Sequence, residues 1–365
     1  MILRVPSYYK EFRCTADRCA DSCCIGWELD IDEDTAAYYE QVKGAFGDRL
    51  REHMVLVDGC HSFALFKNCF CPFLNRQGLC DICIELGEEA LCEVCTEFPR
   101  FTIEYEDRTE KVLSLACEEV GRLIFSSDQK IGWETYGERI DGSEEDWEEE
   151  DERPAVEAHR LETVRESAVS ILQDRSKAVF ERAAEYLRYC EKQQKNLYGA
   201  GESGAAEQRE ENEAQAYADF LERLKIYDQL EVLDEKWLRE KELLATSFCE
   251  ENYRVRQKQF LKEMKEREYE YEQLLVYFTN RYLMRAYYDA NLLQKAKFAV
   301  LSVLMIRDMD VARWVRDGKF SKEDRIDTAK IYAREVEHSE ENMEFLADAL
   351  QFEELFETER LLLQL

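Results

Sequence analysis

The residues of this chain most suited to chemistry are cysteines, which are crowded into its amino-terminal third. Twelve of the fourteen cysteines lie in the first 117 residues: Cys14, Cys19, Cys23, Cys24, Cys60, Cys69, Cys71, Cys80, Cys83, Cys92, Cys95 and Cys117. This density indicates a metal site, because thiolate sulfur binds zinc and iron–sulfur clusters well. A disulfide framework is typical of short secreted chains, whereas the first ten residues here contain no apolar signal segment. We therefore predict a metal-binding protein in the reducing cytoplasm.

The cysteine spacing leaves the identity of the metal open. C-x2-C pairs, which are typical of tetrahedral zinc, occur at Cys80 with Cys83 and at Cys92 with Cys95. The two pairs are closer together than in the usual zinc ribbons. Four thiolates can also hold a four-iron, four-sulfur cube, which collects ligands from separated loops.

Two of the cysteines, Cys23 and Cys24, are adjacent in the sequence. Adjacent side chains cannot easily serve one tetrahedral ion. We expect one of them to face a metal and the other to face a second site or the core.

Composition excludes several classes of partner. The formal charge of −31 disfavours nucleic acid and anionic membranes, since both are bound through clustered Lys and Arg. A basic protein segment would be attracted instead, although the charge can also serve solubility alone. The longest apolar run, Phe298 to Ile306, has nine residues with a serine among them, fewer than the ~20 needed to cross a membrane. We predict a soluble protein.

Changes in composition divide the chain into three parts. The cysteine-rich region ends near residue 125, and Glu144 to Glu152 contains eight acids among nine residues, as a linker or solvated loop would. We therefore predict a metal-binding domain at 1–125, an acidic linker at 126–154 and a helical domain at 155–365.

The fold class follows from hydrophobic periodicity. A helical pattern runs from about Ala155 to Gln194, and spacings of three and four continue after Tyr217. Only four prolines interrupt the chain. Phe101, Ile103 and Tyr105 alternate with polar residues, and a turn at 106–109 leads to Val112 and Leu113, which predicts a short β-hairpin. The expected fold is mainly α, with an irregular cysteine-rich amino-terminal domain and a helical carboxyl-terminal domain.

Residues 199–204 match the dinucleotide-binding pattern G-x-G-x-x-G. That pattern binds phosphate only where it follows an apolar strand and opens a helix. Here the preceding residues, Glu191 to Tyr198, are polar and have a helical pattern. We interpret the match as accidental, so the residues that would bind a nucleotide-like cofactor stay unknown.

The cysteine motifs taken together resemble the flagellin lysine N-methylase family, and the similarity covers most of the chain. The specific motifs are Cys14-x4-Cys19-x3-Cys23-Cys24-x-Gly26-Trp27, Cys71-Pro72-Phe73-Leu74, Leu79-Cys80, Cys95-x2-Phe98-Pro99-Arg100 and Ser114-Leu115-Ala116-Cys117. Weaker similarity lies in Asn280 to Leu283 and in Ala333 to Asn342. The family is itself similar to smaller cysteine-rich proteins regarded as zinc or iron chelators.

The resemblance implies methyl transfer from S-adenosylmethionine to lysine side chains of flagellin by an enzyme with a four-iron, four-sulfur cluster. It thereby favours iron–sulfur over zinc. Matched by position, the implied metal ligands are Cys14, Cys19, Cys23, Cys24, Cys71, Cys80, Cys95 and Cys117. The remaining amino-terminal cysteines, Cys60, Cys69, Cys83 and Cys92, are additions in this chain or belong to a second site.

Three residues in the family motifs are candidates for catalysis. His338 and Glu335 are three residues apart, at a helical spacing, where they could contact a substrate lysine or shuttle a proton. A histidine on the surface of an acidic helix is the simpler interpretation. Arg100, which follows Phe98-Pro99, could pair with a cofactor carboxylate or form a structural salt bridge.

A second class of function stays open. The chain could be a non-catalytic zinc- or iron-binding module or scaffold whose acidic surface docks a basic protein partner. Spectra and metal content of anaerobically purified protein would separate the two, since an iron–sulfur cluster is coloured and contains iron and sulfide. The sequence does not indicate the oligomeric state.

Overall fold

The computed structural model describes residues 2–19, 22–25, 29–57, 59–66, 70–137, 156–199 and 213–365. In these ranges the chain is mainly helical and its strands lie in the amino-terminal part, which confirms the predicted fold class. The strands are β1 (Ile2–Pro6), β2 (Asp30–Ile31), β3 (Met54–Val57), β4 (Cys60–Phe63), β5 (Arg100–Tyr105), β6 (Arg108–Leu113) and β7 (Trp133–Tyr136). The amino-terminal helices are α1 (Glu33–Gln41), α2 (Gly44–His53), α3 (Asp81–Leu86), α4 (Glu93–Glu97) and α5 (Glu118–Phe125). The remaining helices are α6 (Ala158–Leu172), α7 (Val179–Tyr198), α8 (Glu213–Tyr227), α9 (Glu235–Ser247), α10 (Tyr253–Glu263), α11 (Tyr269–Tyr282), α12 (Ala286–Asp289), α13 (Leu292–Asp317), α14 (Lys322–Glu337), α15 (Glu340–Phe352) and α16 (Thr358–Leu362).

A small unit, which we call the cysteine lobe, comprises the described residues between 22 and 97. Its antiparallel sheet has the strand order β2-β4-β3. Asp32 starts α1 by accepting a hydrogen bond from the Thr35 N–H, as helix-capping aspartates do. The lobe has its own hydrophobic core, which includes Tyr39, Phe63 and Phe73.

A four-stranded sheet, in the order β5-β6-β1-β7, combines β1, which precedes the cysteine lobe in the sequence, with three strands that follow the lobe. β5 and β6 form the predicted hairpin, although Tyr105 pairs directly with Arg108 and the turn is shorter than predicted. Glu106 in this turn has a positive φ of 50°, a conformation that tight hairpin turns require. β1 runs parallel to β6 and antiparallel to β7.

Helix α13 is the central element of the helical region and packs against α7, α9, α10, α11, α14 and α15. Asn291 caps its first turn, and Gly318 ends it at a φ of 67°. Nearly all of its residues from Leu292 to Arg313 are buried, so the helix is enclosed on every side, and its buried charges include Asp308 and Asp310. No helix in the part of the chain that the structure describes is both long enough and apolar enough to cross a bilayer.

The helical pattern predicted over Ala155 to Gln194 is divided into α6 and α7, with a break at residues 173–178. α7 ends at Tyr198, and Gly199 follows in the left-handed conformation with a φ of 66°. A helix therefore precedes the glycine-rich match, as predicted. Residues 200–204 lie outside the described residues.

One large hydrophobic core joins the amino-terminal sheet to the helical region. It includes Phe12 and Leu115 from the amino-terminal part together with Leu161 and Leu301 from the helices. β7 falls within the predicted linker, and residues 138–155 lie outside the described part of the chain. The predicted domains at 1–125, 126–154 and 155–365 stay a prediction.

Candidate metal centre and active site

Three cysteines each stand immediately before a helix: Cys80 before α3, Cys92 before α4 and Cys117 before α5. The first N–H groups of a helix have no partner within it, so they can donate to a sulfur atom placed there. Burial raises the pKa of Cys80 to about 11, while the N–H groups of Cys83 and Ile82 donate to its sulfur and oppose the rise. These N–H groups favour the thiolate, which is the form that binds metal.

Five thiols, which we call the inner thiols, gather at the core of the cysteine lobe: Cys24, Cys71, Cys80, Cys92 and Cys95. The Cys71 N–H donates to the Cys24 carbonyl at 2.9 Å, and Cys80 pairs with Leu74 in an isolated bridge. Burial raises the pKa of Cys71 to about 12, and the charges of Cys24, Cys80 and Cys92 act in the same direction. These thiols are therefore close enough for the charge of one thiolate to raise the pKa of another.

Four further cysteines, which we call the outer thiols, lie where the amino-terminal segment meets α5: Cys14, Cys19, Cys23 and Cys117. The Cys19 sulfur is 3.9 Å from a carboxylate oxygen of Glu118, the residue after Cys117. Burial raises the pKa of Cys117 to about 11, and the charges of Cys19 and Cys14 contribute to this rise.

The adjacent residues Cys23 and Cys24 connect the two groups. The Cys23 thiol donates to the Cys24 sulfur, which raises the pKa of Cys23 and lowers that of Cys24 to about 7. Arg334 also favours the Cys24 thiolate through its positive charge. The Arg334 guanidinium donates to the carbonyl of Ile25, so α14 contacts the cysteine segment directly.

The chemistry of this donor set fits an iron–sulfur cluster. All eight predicted ligands are thiols, and backbone N–H groups donate to several of the sulfur atoms, as they do around cluster ligands. Among the described residues, no three His, Cys, Asp or Glu side chains converge as they would around a single ion. The ligands of a cube lie farther apart than those of one ion, and the metal assignment stays a prediction.

The structure also places the cysteines that the resemblance leaves out. Cys92 is buried with the inner thiols, and its pKa is lowered by a hydrogen bond with the Cys95 thiol. Cys83 lies in α3, and Cys60 is exposed at the start of β4. Cys69 lies outside the described residues. The C-x2-C spacing is the sequence signal that associates Cys92 with Cys95.

A buried polar network occupies the interface between α11 and α14. The Glu337 carboxylate lies 3.0 Å from the Arg281 Nε and accepts hydrogen bonds from the hydroxyls of Tyr277 at 3.0 Å and Tyr282 at 2.7 Å. Burial raises the pKa of Glu337, and the Arg281 charge opposes that rise. The Arg281 guanidinium also lies 3.7 Å from the centre of the Phe101 ring, on the hairpin.

This network reaches the segment that leads to Cys117. The Tyr277 hydroxyl accepts a hydrogen bond from the Leu115 N–H at 3.1 Å. Next to it, the Nε2 atom of His338 lies 3.1 Å from the Ser114 hydroxyl oxygen. The network and His338 are therefore both in contact with the Ser114-to-Cys117 motif.

His338 is enclosed by aromatic rings at the end of α14. Its ring centre is 5.9 Å from that of Phe98 and 5.4 Å from that of Phe101. Burial lowers the pKa of His338 to about 3, and the charges of Arg281 and Arg334 contribute to the fall. The imidazole is therefore neutral near pH 7 and is a weak base, since a general base works best with a pKa near the operating pH.

Glu335 faces a different part of the molecule. Its carboxylate accepts hydrogen bonds from the backbone N–H groups of Leu233 and Asp234, each at 3.2 Å, in the connection between α8 and α9. Burial raises the pKa of Glu335 to about 7. These contacts of Glu335 differ from the Ser114 and aromatic contacts of His338, and the catalytic roles of both residues stay predictions.

Arg100 begins β5, beside the Phe98-Pro99 motif. Its guanidinium lies 5.5 Å from the centre of the Phe12 ring, and its Nη1 atom donates to the Thr96 carbonyl at 3.5 Å. These contacts hold the side chain against the amino-terminal segment. Its predicted contact with a cofactor stays a prediction.

An acidic cleft of about 500 Å³ opens on the cysteine lobe. Five carboxylate side chains contribute to its lining, whereas no lysine or arginine does. The lining residues are Asp30, Ile31, Asp32, Glu33, Ala36, Ala37, Glu40, Gly59, Cys60, His61, Glu93 and Val94. A cleft of this charge and size suits a cationic side chain.

Sequence reasoning missed the network residues Arg281 and Glu337 and the contact residues Arg334 and Ser114 as individual members of a site. All four lie in the motifs that carry the family resemblance. Their position in those motifs was the available signal, but the pairing of residues far apart in sequence is visible only in the fold.

Comparison with known protein families gives one match over more than half of the chain. A model of the FliB lysine N-methylase C-terminal domain matches residues 165–364. This range extends from α6 to α16 and includes the α11–α14 network.

Relatives from Salmonella are similar to a shorter stretch. A lysine-N-methylase from Salmonella choleraesuis (strain SC-B67) is 32% identical over 129 residues, which cover 33% of this chain and 32% of that protein. One from Salmonella typhimurium (strain LT2) is 31% identical with the same coverage. The flagellar biosynthetic protein FliU of Salmonella muenchen is 31% identical over 129 residues, 75% of its length. The match thus spans about a third of each lysine-N-methylase, and no solved structure matches the chain.

Proposed function

We propose, because the chain belongs to the FliB lysine N-methylase family, that it is a protein-lysine N-methyltransferase acting on flagellin. In this proposal S-adenosylmethionine is the methyl donor, an iron–sulfur cluster is bound by the cysteines, and the enzyme works in the cytoplasm. The lysine-N-methylases and the FliU protein among its relatives support the lysine chemistry and the flagellar substrate.

The observation that carries the proposal is the set of contacts made by the end of α14. Within the five residues from Arg334 to His338, this helix end reaches the cysteine segment through Arg334, the buried network through Glu337 and the Ser114 motif through His338. The cysteine segment before Ile25 and the Ser114-to-Cys117 motif thus both meet the end of α14, which lies more than 200 positions further along the sequence. Such convergence is expected of an active site shared by the two halves of the chain.

Methyl transfer requires a neutral lysine amine. The nitrogen lone pair attacks the methyl carbon while the carbon–sulfur bond breaks, and S-adenosylhomocysteine leaves. A free lysine has a pKa of about 10.4, so it must lose a proton to water or to a base before it reacts. Removing the amine from water lowers its pKa and favours this loss.

The residues of the chain have distinct roles in this scheme. Cysteines from the inner and outer thiols would hold the cluster, which would supply a binding site that helps to orient the methyl donor. The carboxylates of the acidic cleft attract the charged lysine. Of the two candidate acid–base residues, Glu335 has a pKa raised to about 7, but its carboxylate faces the α8–α9 connection, whereas His338 contacts the Ser114 motif.

The test is an anaerobic reaction with labelled S-adenosylmethionine and purified flagellin. Mass spectrometry of flagellin peptides is expected to find methyl groups on lysine side chains. Flagellin with acetylated lysines is the matched control and is expected to take up no label. Lack of methylation by folded, metal-loaded protein would refute the proposal.

The acidic cleft also favours a second candidate, a metal-binding module that docks a basic partner without catalysis. Binding of a lysine-rich flagellin segment would then weaken with salt, because exposed charges are screened. Salt-sensitive binding without any methyl transfer would favour this module over the enzyme.

A further inference from the structure

We propose that strand β3 and the acidic cleft form one docking surface for an extended polypeptide segment in which apolar residues are followed by lysine. The segment adds to the open edge of the β2-β4-β3 sheet, and its lysine enters the cleft. The inference deepens the proposed function, on which it rests for the class of substrate, because it gives the substrate segment a mode of binding. Its test measures binding separately from methyl transfer.

Strand β3 exposes a run of apolar side chains. Val55, Leu56 and Val57 are 36%, 65% and 48% exposed. Edge strands of native proteins commonly carry a charged residue or a proline that prevents pairing with other chains. The sequence of β3, Met-Val-Leu-Val, has neither. An apolar edge of this kind is suited to bind a partner strand.

The backbone of β3 is oriented to accept another strand. β3 pairs with β4 and forms one edge of the three-stranded sheet that the structure describes. Just before this pairing begins, the Ala64 N–H donates to the His53 carbonyl at 2.8 Å. Hydrogen-bonded pairs alternate along antiparallel strands, so Val55 and Val57 bond to β4, whereas the N–H and C=O of Leu56 point to the open edge. An added strand can bond to both groups of Leu56.

The open edge and the acidic cleft are adjacent. Cys60 and His61, which line the cleft, are the cross-strand partners of Val57 and Leu56. Neighbouring strands lie about 4.8 Å apart. Gly59, in the turn after β3, also lines the cleft. A segment that runs along β3 and continues past the turn therefore reaches the cleft.

The charge of the cleft selects a cationic occupant. Glu33, Glu40 and Glu93 are exposed, and no lysine or arginine is among the described residues that line the cleft. Asp32 instead accepts hydrogen bonds from the backbone N–H groups of Thr35 and Glu93, each at 2.9 Å. Exposed carboxylates attract a lysine amine, whereas a second copy of this chain would bring its own carboxylates to the same edge. The charge thus favours a lysine-bearing segment over self-pairing.

The test measures binding of a fluorescently labelled synthetic peptide in which valine alternates with threonine before a pair of lysines. Fluorescence anisotropy is expected to show binding to wild type that Leu56→Lys weakens at least about tenfold. The new charge repels the lysines and blocks the edge, as lysines on edge strands do. Val255→Lys, at an apolar residue of α10 that is 42% exposed, is the matched control and should bind as wild type does. Equal binding by Leu56→Lys and wild type would overturn the inference.

A second probe tests strand addition without any variant of the protein. It is the same peptide with methylated backbone nitrogens, which cannot donate to the carbonyl at the edge of β3. We expect it to bind wild type at least about tenfold more weakly than the unmethylated peptide. Equal affinity of the two peptides would contradict strand addition.

The contribution of the cleft is tested by salt dependence. The double variant with Glu33→Gln and Glu40→Gln should bind the unmethylated peptide with less sensitivity to salt, because two exposed carboxylates are removed. Glu341→Gln with Glu344→Gln, at exposed carboxylates of α15, is the matched control and should keep the wild-type salt dependence. An unchanged salt dependence in the cleft variant would contradict the joint docking surface.

Flagellin methylation by the same variants separates this inference from the proposed function. If wild type binds the peptide but methylates no flagellin, the proposed function fails and the docking surface stands. If Leu56→Lys methylates flagellin as fast as wild type, the docking surface fails and the proposed function stands. Sedimentation tests self-pairing, and a wild-type dimer that Leu56→Lys dissociates would overturn the assignment of a peptide segment to this edge.

Discussion

At the scale of residues, the ion pair of Glu337 with Arg281 is the most informative contact of the candidate site. Both side chains are almost fully buried, with 7% and 5% of their surface exposed. A buried pair adds little stability compared with apolar residues, but removal of one partner leaves the other charge without compensation. The position of the Glu337–Arg281 pair, where the family motifs meet, is therefore better explained by a role in function than by a role in stability.

We predict that Glu337→Gln lowers the free energy of unfolding by about 3 kcal/mol, because Arg281 then stays buried without a counter-charge. Chemical denaturation measures this change. Asp317→Asn is the matched control, since its partner Arg316 is half exposed, and we expect a loss below about 1 kcal/mol. Equal losses in the two variants would contradict this account of the network.

Glu335 makes the stability depend on pH. Its pKa is about 7 in the folded protein, against an ordinary value of 4.5. The folded state therefore binds more protons than the unfolded state between these two values. The protonated Glu335 contributes this stability fully at a pH below its ordinary pKa. The contribution is lost as the pH rises through the pKa that Glu335 has in the folded protein.

We predict that Glu335→Gln removes this dependence. As the pH rises from about 4.5 to about 7, the free energy of unfolding of the wild type should fall relative to that of the variant. Denaturation curves at several pH values would measure the shift. Glu341→Gln, at an exposed carboxylate in the first turn of α15, should leave the pH dependence unchanged. A parallel pH dependence of wild type and Glu335→Gln would refute the assignment.

At the scale of elements, α14 is the helix that connects the two halves of the site. Its start is defined by a capping box, in which the Ser321 hydroxyl accepts from the Asp324 N–H at 3.1 Å and the Asp324 carboxylate accepts from the Ser321 N–H at 2.7 Å. Its end carries Arg334, Glu337 and His338. The cap thus helps to position side chains more than three turns away.

We predict that Ser321→Ala destabilises the protein by about 1 kcal/mol, because the first turn of α14 loses the side chain that accepts the Asp324 N–H. Ser321→Thr keeps a hydroxyl and should retain most of the stability. Thermal and chemical denaturation of the two variants would measure the difference. Equal stability of Ser321→Ala and wild type would show that the cap does not support this helix.

The position at which α14 ends explains why the helical spacing of Glu335 and His338 does not place them on one face. The shared polar face predicted for Glu335 and His338 assumed one continuous helix. α14 ends at Glu337, however, and His338 follows as its cap with φ of −111° and ψ of 12°. Helical spacing does not apply past that point, so His338 faces the hairpin while Glu335 faces the α8–α9 connection. The hairpin itself was predictable, because alternation and a turn signal are local features of a sequence.

At the scale of the whole molecule, the fold class was predictable from composition and periodicity, but the joining of the halves was not. The large core contains Phe12 as well as Leu361, and contacts at this sequence separation leave no periodic signal. The same reason applies to the site. The sequence predicts that the thiols bind metal, whereas the gathering of the inner thiols is visible only in the core of the cysteine lobe.

The charge of the molecule also belongs to this scale. A formal charge of −31 and an acidic cleft both favour a cationic partner. This negative potential would help a protein that modifies lysine to bind its substrate, because the potential attracts the charged amine before the amine is removed from water. Substrate binding is therefore expected to be more sensitive to salt than the methyl-transfer step.

The most direct measurement of the central claim compares wild type with Cys24→Ser in the anaerobic flagellin methylation assay. Cys24 is the inner thiol that is hydrogen-bonded to an outer thiol, Cys23, and its thiolate is favoured by the charge of Arg334. We predict that wild type methylates flagellin lysines and that Cys24→Ser, with helical content unchanged, reacts at least about tenfold more slowly, which corresponds to about 1.4 kcal/mol. A Cys24→Ser variant as active as wild type, or a metal-loaded wild type that leaves flagellin unmodified, would contradict the account.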